Sequence, residues 1–241
     1  MISMATRTLG ELAVEISGAT RVFEHLGIDY CCGGTRSLAQ ACAAAGIPLD
    51  NVKNSLELAM VSEGQSAVPD FRTTTLTELI SYIVEKHHRF TKSEIARLPA
   101  LMDKVIGVHG RNHPELCTIR SLFKSLSSEL EPHMMKEERV LFPFIMQMEQ
   151  TVNEKTVTAK PAFGTVRNPI QMMMLEHEGA GYLLKHMRMA SSDYAIPSEA
   201  CISYQTLYQA LDAFEEDLHH HIHLENNILF PRALEMETEA S

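Results

Sequence analysis

His133-Met134-Met135-Lys136-Glu137, with Leu141-Phe142-Pro143 one turn further on, is written twice in this chain in outline. The second copy reads His221-Ile222-His223-Leu224-Glu225, followed by Leu229-Phe230-Pro231. His133 and His221 stand 88 positions apart, as do Glu137 and Glu225, and the Leu-Phe-Pro triplets keep that offset. One helix earlier, His88 and His177 stand 89 apart. Self-similarity at a fixed period marks a repeated supersecondary unit. The unit here is a helix pair with one histidine on its first helix and His-x-x-x-Glu on its second. Two such pairs packed about a pseudo-two-fold axis bring their equivalent side chains together at the centre.

Apolar spacing says which way these side chains point. Around the second copy, Phe214, Leu218, His221, Glu225, Ile228 and Leu229 step by three or four, so His221 and Glu225 belong to the buried stripe. His219, His220 and His223 are expected beside that stripe or on the polar face, in solvent. The first copy gives Leu122, Leu126, Leu130, His133, Glu137, then Val140 or Leu141, and Phe144. The third helix gives Ile170, Met173 or Met174, His177, Ala180 or Gly181, and Leu184. On the first helix both His87 and His88 touch the stripe, and the repeat favours His88.

A buried carboxylate without a partner costs several kcal/mol, and no lysine or arginine occupies the inward stripes near these residues. Four histidines and two glutamates at one level call for positive charge, which a pair of divalent cations supplies. Imidazole with carboxylate and no thiolate suits iron, manganese or zinc. Two histidines per ion and two bridging glutamates make four protein bonds to each ion, and an oxo or hydroxo bridge makes a fifth. A six-coordinate ion then keeps a position open for dioxygen, peroxide or nitric oxide, which a closed structural zinc site does not. Redox iron is the expectation, with zinc as its rival.

The rest of the chain fits around this centre. Helical periodicity runs from Leu76 to about Val108, and from Pro114 to about Glu149, where Pro132 and Pro143 predict a kink, a break or a bulge aiming His133 inward. After a polar connection from Thr151 to Arg167, Asn168-Pro169 is expected to cap a third helix reaching about Ala190. Ser198 is expected to cap a fourth that ends near Pro231. Strand signals are nearly absent, so the fold class is all-α, an up-down four-helix bundle. Residues 1–62 read as a small helical N-terminal domain, 63–75 as a linker and 76–236 as the bundle. Within the small domain the paired glycines of Cys31-Cys32-Gly33-Gly34 mark a turn, read as a release from backbone restriction. The 241 residues are 45% hydrophobic, enough for a real core. Acidic residues outnumber basic ones 31 to 21, for a net charge of −10, which disfavours nucleic acid as a partner. There is no apolar run of the roughly 18–20 residues a membrane span needs and no secretory signal in the first ten residues, so a soluble cytoplasmic protein is expected. The 5 cysteines include adjacent Cys31 and Cys32, a poor geometry for a structural disulfide, and read as reduced thiols.

Taken together, the chain resembles the iron–sulfur cluster repair di-iron proteins, the repair-of-iron-centres family, from about Leu9 to Leu234. The marks are Asp29-Tyr30-Cys31-Cys32-Gly33-Gly34, His133 to Glu138 with Leu141-Phe142-Pro143, Glu176-His177, and His221 through Leu224-Glu225-Asn226-Asn227 to Phe230-Pro231-Arg232-Ala233. The resemblance implies a hemerythrin-like bundle with two non-haem irons, ligated by His88, His133, His177 and His221 and bridged by Glu137 and Glu225. It also implies repair of clusters damaged by nitric oxide or oxidants, with damaged or apo iron–sulfur proteins as partners and iron supply as the means. Nitric oxide reduction, or oxygen or nitric oxide binding and sensing, are the alternative activities. Glu176 is expected just outside the ligands, Cys31 and Cys32 in redox or iron handling, and a homodimer as the assembly.

Overall fold

The computed structural model describes residues 3–16, 18–61, 71–154, 156 and 161–239; residues 63–70 of the expected linker lie outside them. Near the N-terminus, α1 (Leu9–Glu15), α2 (Ala19–His25), α3 (Leu38–Ala45) and α4 (Leu49–Val61) form a small helical module. Thr8 and Glu11 make a reciprocal capping box at the start of α1, and Ser37 with Gln40 repeats it at α3, each pair satisfying two backbone N–H groups that a helix start leaves free. Gly27, at φ 62°, ends α2. Leu9, Leu12, Phe23, Leu38, Val52 and Leu56 fill the module's interior.

Four rods follow. The first runs through α5 (Leu76–Tyr82), a π-helical segment (Ile83–His88) and α6 (Arg89–His109). The second is α7 (Glu115–Lys136), a π segment (Glu137–Leu141) and α8 (Phe142–Glu154). The third is α9 (Arg167–Ala190). The fourth is α10 (Ile202–Leu224), a π segment (Glu225–Leu229) and α11 (Phe230–Glu239). The fold is all-α, a four-helix bundle preceded by a small helical domain. No strand occurs among the described residues, and no helix there is long and apolar enough to cross a membrane.

Several helix ends differ from expectation, each for a local reason. The second rod does not break at Pro132, which sits inside α7. The irregularity comes one turn later, where the Phe142 N–H reaches back to the Glu137 carbonyl. Pro143 follows at once; in α geometry its ring would meet the carbonyl four residues back, and it has no N–H to offer. Widening the turn by a residue accommodates it. The fourth rod repeats the device, with the Phe230 N–H bonded to the Glu225 carbonyl just before Pro231. So Pro231 does not end that rod, which continues to Glu239. Nor does Ser198 cap it: its hydroxyl donates to Glu199, and Cys201 is the residue before the first turn.

Two carboxylates, Glu149 buried and Glu237 half-buried, close the bundle's near end. Glu149 accepts from the backbone N–H groups of Leu76 (2.6 Å) and Thr77 (2.9 Å) and from the Thr77 hydroxyl, so the end of the second rod caps the start of the first. Glu237 caps the start of α9 through the Val166 N–H (2.7 Å) and the Thr165 hydroxyl. Glu149 and Glu237 are again 88 positions apart, so the repeat extends to the caps. The apolar interior forms two clusters. One joins the module to the far half of the bundle, through Phe123, Leu126, Leu184, Phe214 and Leu218. The other holds the near half, through Leu79, Ile83, Phe142, Ile170 and Phe230.

Candidate metal centre

The inward histidines and glutamates occupy the level between those two clusters. His88, His133, His177 and His221 are at most 2% exposed, and Glu137 and Glu225 are fully buried. They divide into two sets whose ligand atoms all lie within 4.8 Å of one another: His88, Glu137, His221 and Glu225, and His133, Glu137, His177 and Glu225. Both glutamates belong to both sets. Each histidine pair crosses the repeat, one member coming from each half, as a two-fold relation between the helix pairs requires. His88 and His221 turn their Nε2 atoms to within 3.1 Å of each other, and His133 and His177 theirs to 3.0 Å.

The outer ring nitrogens explain that orientation. His88 Nδ1 lies 2.7 Å from Glu138, His133 Nδ1 2.8 Å from Glu176, and His177 Nδ1 2.9 Å from the Asn226 side-chain oxygen. A carboxylate or amide oxygen only accepts, so Nδ1 carries the proton and Nε2 presents its lone pair inward. Lys92 binds Glu138 and Lys136 binds Glu176. These cations, with the histidines, outweigh partial burial and hold both carboxyls below their usual range. Glu138 and Asn226 are 88 apart, one more pair made by the repeat. By the 89 offset Glu176 corresponds to His87. His87 is buried and stacks on His221 with ring centroids 5.9 Å apart, but its Nδ1 turns to Asp217 at 3.0 Å. Its Nε2 and His221 Nδ1 both lack hydrogen bonds.

Paired inward lone pairs beside two buried carboxylates need a cation. Both oxygens of Glu137 and one of Glu225 are buried without a hydrogen bond, although Glu137 Oε2 lies 3.4 Å from His133 Nε2 and 3.5 Å from His88 Nε2. Burial disfavours charge on His88 and His133, yet Glu225 and Glu137 beside them overcome it and lift both, His133 to about 9. Nitrogen and carboxylate donors with unsatisfied oxygens suit a pair of divalent ions, and the residues present fit metal binding.

Other expectations need correction. His223 is not solvated: it is 4% exposed, bonded to Asn227 at 2.9 Å and set edge-on to Tyr30. His219 and His220 are half-buried, and burial pushes His220 down to about 4 and His223 to about 3. The N-terminal module covers all three, a contact that single-helix periodicity does not reveal. The paired glycines also serve a different purpose. Neither Gly33 nor Gly34 has positive φ among the described residues; instead, a Cβ on Gly34 would stand 2.5 Å from the Asn227 side chain and 2.9 Å from the Tyr30 carbonyl. They permit close approach. Asn226 and Asn227 donate to the carbonyls of Cys31 and Tyr30, each at 3.2 Å, so the residues following Glu225 fasten the cysteine turn to the centre. Cys32 Sγ lies 3.4 Å from the His177 carbonyl and 3.9 Å from Cys31 Sγ. Its neighbour Cys32 and burial hold the Cys31 thiol well up, in the protonated form. Both cysteines line a groove of about 1320 Å³ between module and bundle, which Arg36, Glu178 and Lys185 also border.

Comparison with known proteins agrees with this geometry. Residues 79–233 match the hemerythrin HHE cation binding domain family, and residues 5–60 match a family described as a domain of unknown function (DUF542). The chain is 35% identical over 233 residues to the iron-sulfur cluster repair protein YtfE of Citrobacter koseri, covering 97% of this chain and 99% of that protein. It is 36% identical over 228 residues to the protein of that name from Edwardsiella ictaluri, covering 95% and 96%. It is also 36% identical over 226 residues to the one from Escherichia coli O81, covering 94% and 96%.

Proposed function

The chain belongs to the iron–sulfur cluster repair proteins, built on a hemerythrin-type cation-binding bundle, and from that premise we propose that it restores damaged clusters in the cytoplasm by supplying iron from a di-iron centre. In this reading His88 and His221 would hold one iron and His133 and His177 the other, with Glu137 and Glu225, which belong to both sets, available to both. The observation that carries it is the pair of buried carboxylates, shared by two sets of inward-facing histidines and left with oxygens that no hydrogen bond satisfies. Bound iron supplies redox chemistry and a position for a small ligand such as nitric oxide or oxygen. The chain's own residues do the rest. Glu138, Glu176 and Asn226 hold the histidine rings in the tautomer that offers Nε2, and Lys92 and Lys136 keep the two acids charged. Cys31 and Cys32 are the thiols this reading assigns to redox or iron handling, and the contact of Cys32 with the carbonyl of His177 supports it. Damaged or apo iron–sulfur proteins are the recipients.

Metal analysis of protein purified without oxygen is the first test. Close to two irons per chain are expected, and Glu137→Gln or Glu225→Gln should lose most of them. The reduced, loaded protein should then restore activity to a nitric-oxide-damaged dehydratase. Equal rescue by the same concentration of free ferrous iron would sink specific donation. A second reading, reductive coupling of nitric oxide to nitrous oxide, draws on one observation: the two sets share both carboxylates, which would place two bound ligands side by side. Anaerobic single-turnover gas analysis tests it, and absence of nitrous oxide removes it.

A further inference from the structure

Three of the four inward histidines are held from outside by an oxygen that only accepts, and the fourth is not. His88, His133 and His177 give their Nδ1 protons to Glu138, Glu176 and Asn226. His221 Nδ1 is buried and has no hydrogen bond among the described residues. The repeat says where its partner should stand. His221 is equivalent to His133 by the offset of 88, and His133 is held by Glu176. The position equivalent to Glu176, by the offset of 89, is His87. His87 does lie against His221, its ring 15° from parallel with centroids 5.9 Å apart. Rings stacked in this way do not aim an N–H at a lone pair, and His87 turns its Nδ1 to Asp217 at 3.0 Å. Its Nε2 is left buried and unbonded as well. A histidine thus occupies the place of the expected acceptor and does not do the acceptor's work.

We propose that His87 makes the centre unequal, so that the ion on His88 and His221 is the weakly held one and the first to be given up. This rests on the di-iron reading above and adds which ion is donated. A metal on Nε2 obliges the ring proton to sit on Nδ1. At His88, His133 and His177 an oxygen accepts that proton. At His221 the N–H stays buried with nothing to receive it, and a buried donor without an acceptor bears its full desolvation cost. When the ion leaves, the proton can move to Nε2, which faces a Glu225 oxygen at 3.0 Å. An orphaned donor is then exchanged for a bonded one. The other three histidines keep the same bonded proton with or without the ion, so only His221 is relieved by the loss. An outer partner of this kind is worth about 10- to 100-fold in metal affinity, and that is the inequality expected between the two ions. His87 binds neither ion in this reading. It is a positioning residue, acting through the hydrogen bond it withholds, and Asp217 keeps it turned away.

Iron loss from the full, loaded chain into an excess of ferrous chelator, followed without oxygen, tests this. Two phases of one ion each are expected, separated by about 10- to 100-fold in rate. His87→Gln puts an amide oxygen where the other half has Glu176, as Asn226 does for His177, and its NH₂ group still donates to Asp217. That variant should slow the fast phase at least about tenfold and leave the slow phase unchanged. His87→Leu, which offers no acceptor, should keep the fast phase. Circular dichroism establishes that both variants are folded. A second measurement needs no variant: the wild-type chain, with isotope-labelled histidine rings, is titrated with zinc and followed by nuclear magnetic resonance. The first equivalent should shift the ring nitrogens of His133 and His177, and the second those of His88 and His221. Fewer than two ions per chain at saturation overturns the di-iron reading and this inference with it. Two ions that leave in a single phase overturn this inference alone. So does a fast phase that folded His87→Gln leaves unchanged or that His87→Leu slows equally, and so does a first zinc seated on His88 and His221.

Discussion

A histidine that offers Nε2 to a metal is aimed by whatever holds its Nδ1. His88, His133 and His177 are held by Glu138, Glu176 and Asn226. Replacing Glu138 or Glu176 by alanine should weaken metal retention about 10- to 100-fold, read by competition with a calibrated chelator, with little change in helix content. At this scale the sequence was most informative where it repeated. The offset of 88 picks out His133, Glu137, His221 and Glu225, the offset of 89 adds His88 and His177, and the resemblance adds Glu176. The offset of 88 also relates Glu138 to Asn226, yet periodicity alone gives no reason to single out either, because neither lies on the buried stripe. His87 was the ambiguous case, and both readings of it were sound. It is as buried as His88, but it stands at the position equivalent to Glu176 and turns to Asp217 instead of the centre. His223 was misjudged because a surface position on one helix became an interior one when the N-terminal module settled on it.

Helix type was legible throughout the bundle, while helix ends and turn geometry were not. Apolar residues at three- and four-residue spacing require a helix whatever its termini do. Where a rod begins depends on partners from elsewhere in the chain, and Glu149, taken from sequence as the point where a helix ends, is the cap of another helix 72 residues away. Glu149→Ala would leave a buried and a half-buried N–H group and a threonine hydroxyl without their acceptor, and should cost about 2–3 kcal/mol in urea unfolding. Metal stoichiometry should hold in that variant, since the cap lies at the end of the bundle and away from the ligands. Prolines misled in an instructive way. Pro143 and Pro231 are accommodated by one wide turn each, beginning at Glu137 and Glu225 themselves. The bulge expected at Pro132 does not occur there: Pro132 sits in regular α-helix, and the wide turn at Glu137 belongs to Pro143. A wide turn at each of these glutamates changes the rotation between the two halves of its rod, which lets residues before and after it face the interior together.

At the scale of the whole molecule, the module and the bundle meet over Asn226, Asn227, His223 and the cysteine turn, and Glu24 of the module stands at that junction, 2.6 Å from the Tyr30 hydroxyl that donates to it. Burial pushes Glu24 up to about 7 against the effect of that hydroxyl. An acid whose folded value is raised retains its proton while the unfolded chain gives it up, so stability falls as pH rises from about 4.5 to about 7 and stays low above that. Glu24→Gln should flatten the slope and, at about pH 8, gain about 1–2 kcal/mol once solvent screening of this half-buried group is allowed for. Urea titrations at the two ends of the window measure it. No sequence pattern announced this docking, because it depends on glycines chosen for closeness and on asparagines that read as ordinary polar residues. The same view of the molecule shows its two apolar clusters lying on either side of the layer of histidines and glutamates. Four rods cross that layer, but its polar side chains cohere chiefly through whatever ion they share. A chain that has surrendered its metal keeps both interiors and loses the tie between them, so one end opens more readily without the other. Limited proteolysis of loaded and emptied protein would register the difference. On the proposed function, giving iron away and becoming fit for degradation would be a single event, and the lifetime of such a chain would follow how soon it is refilled.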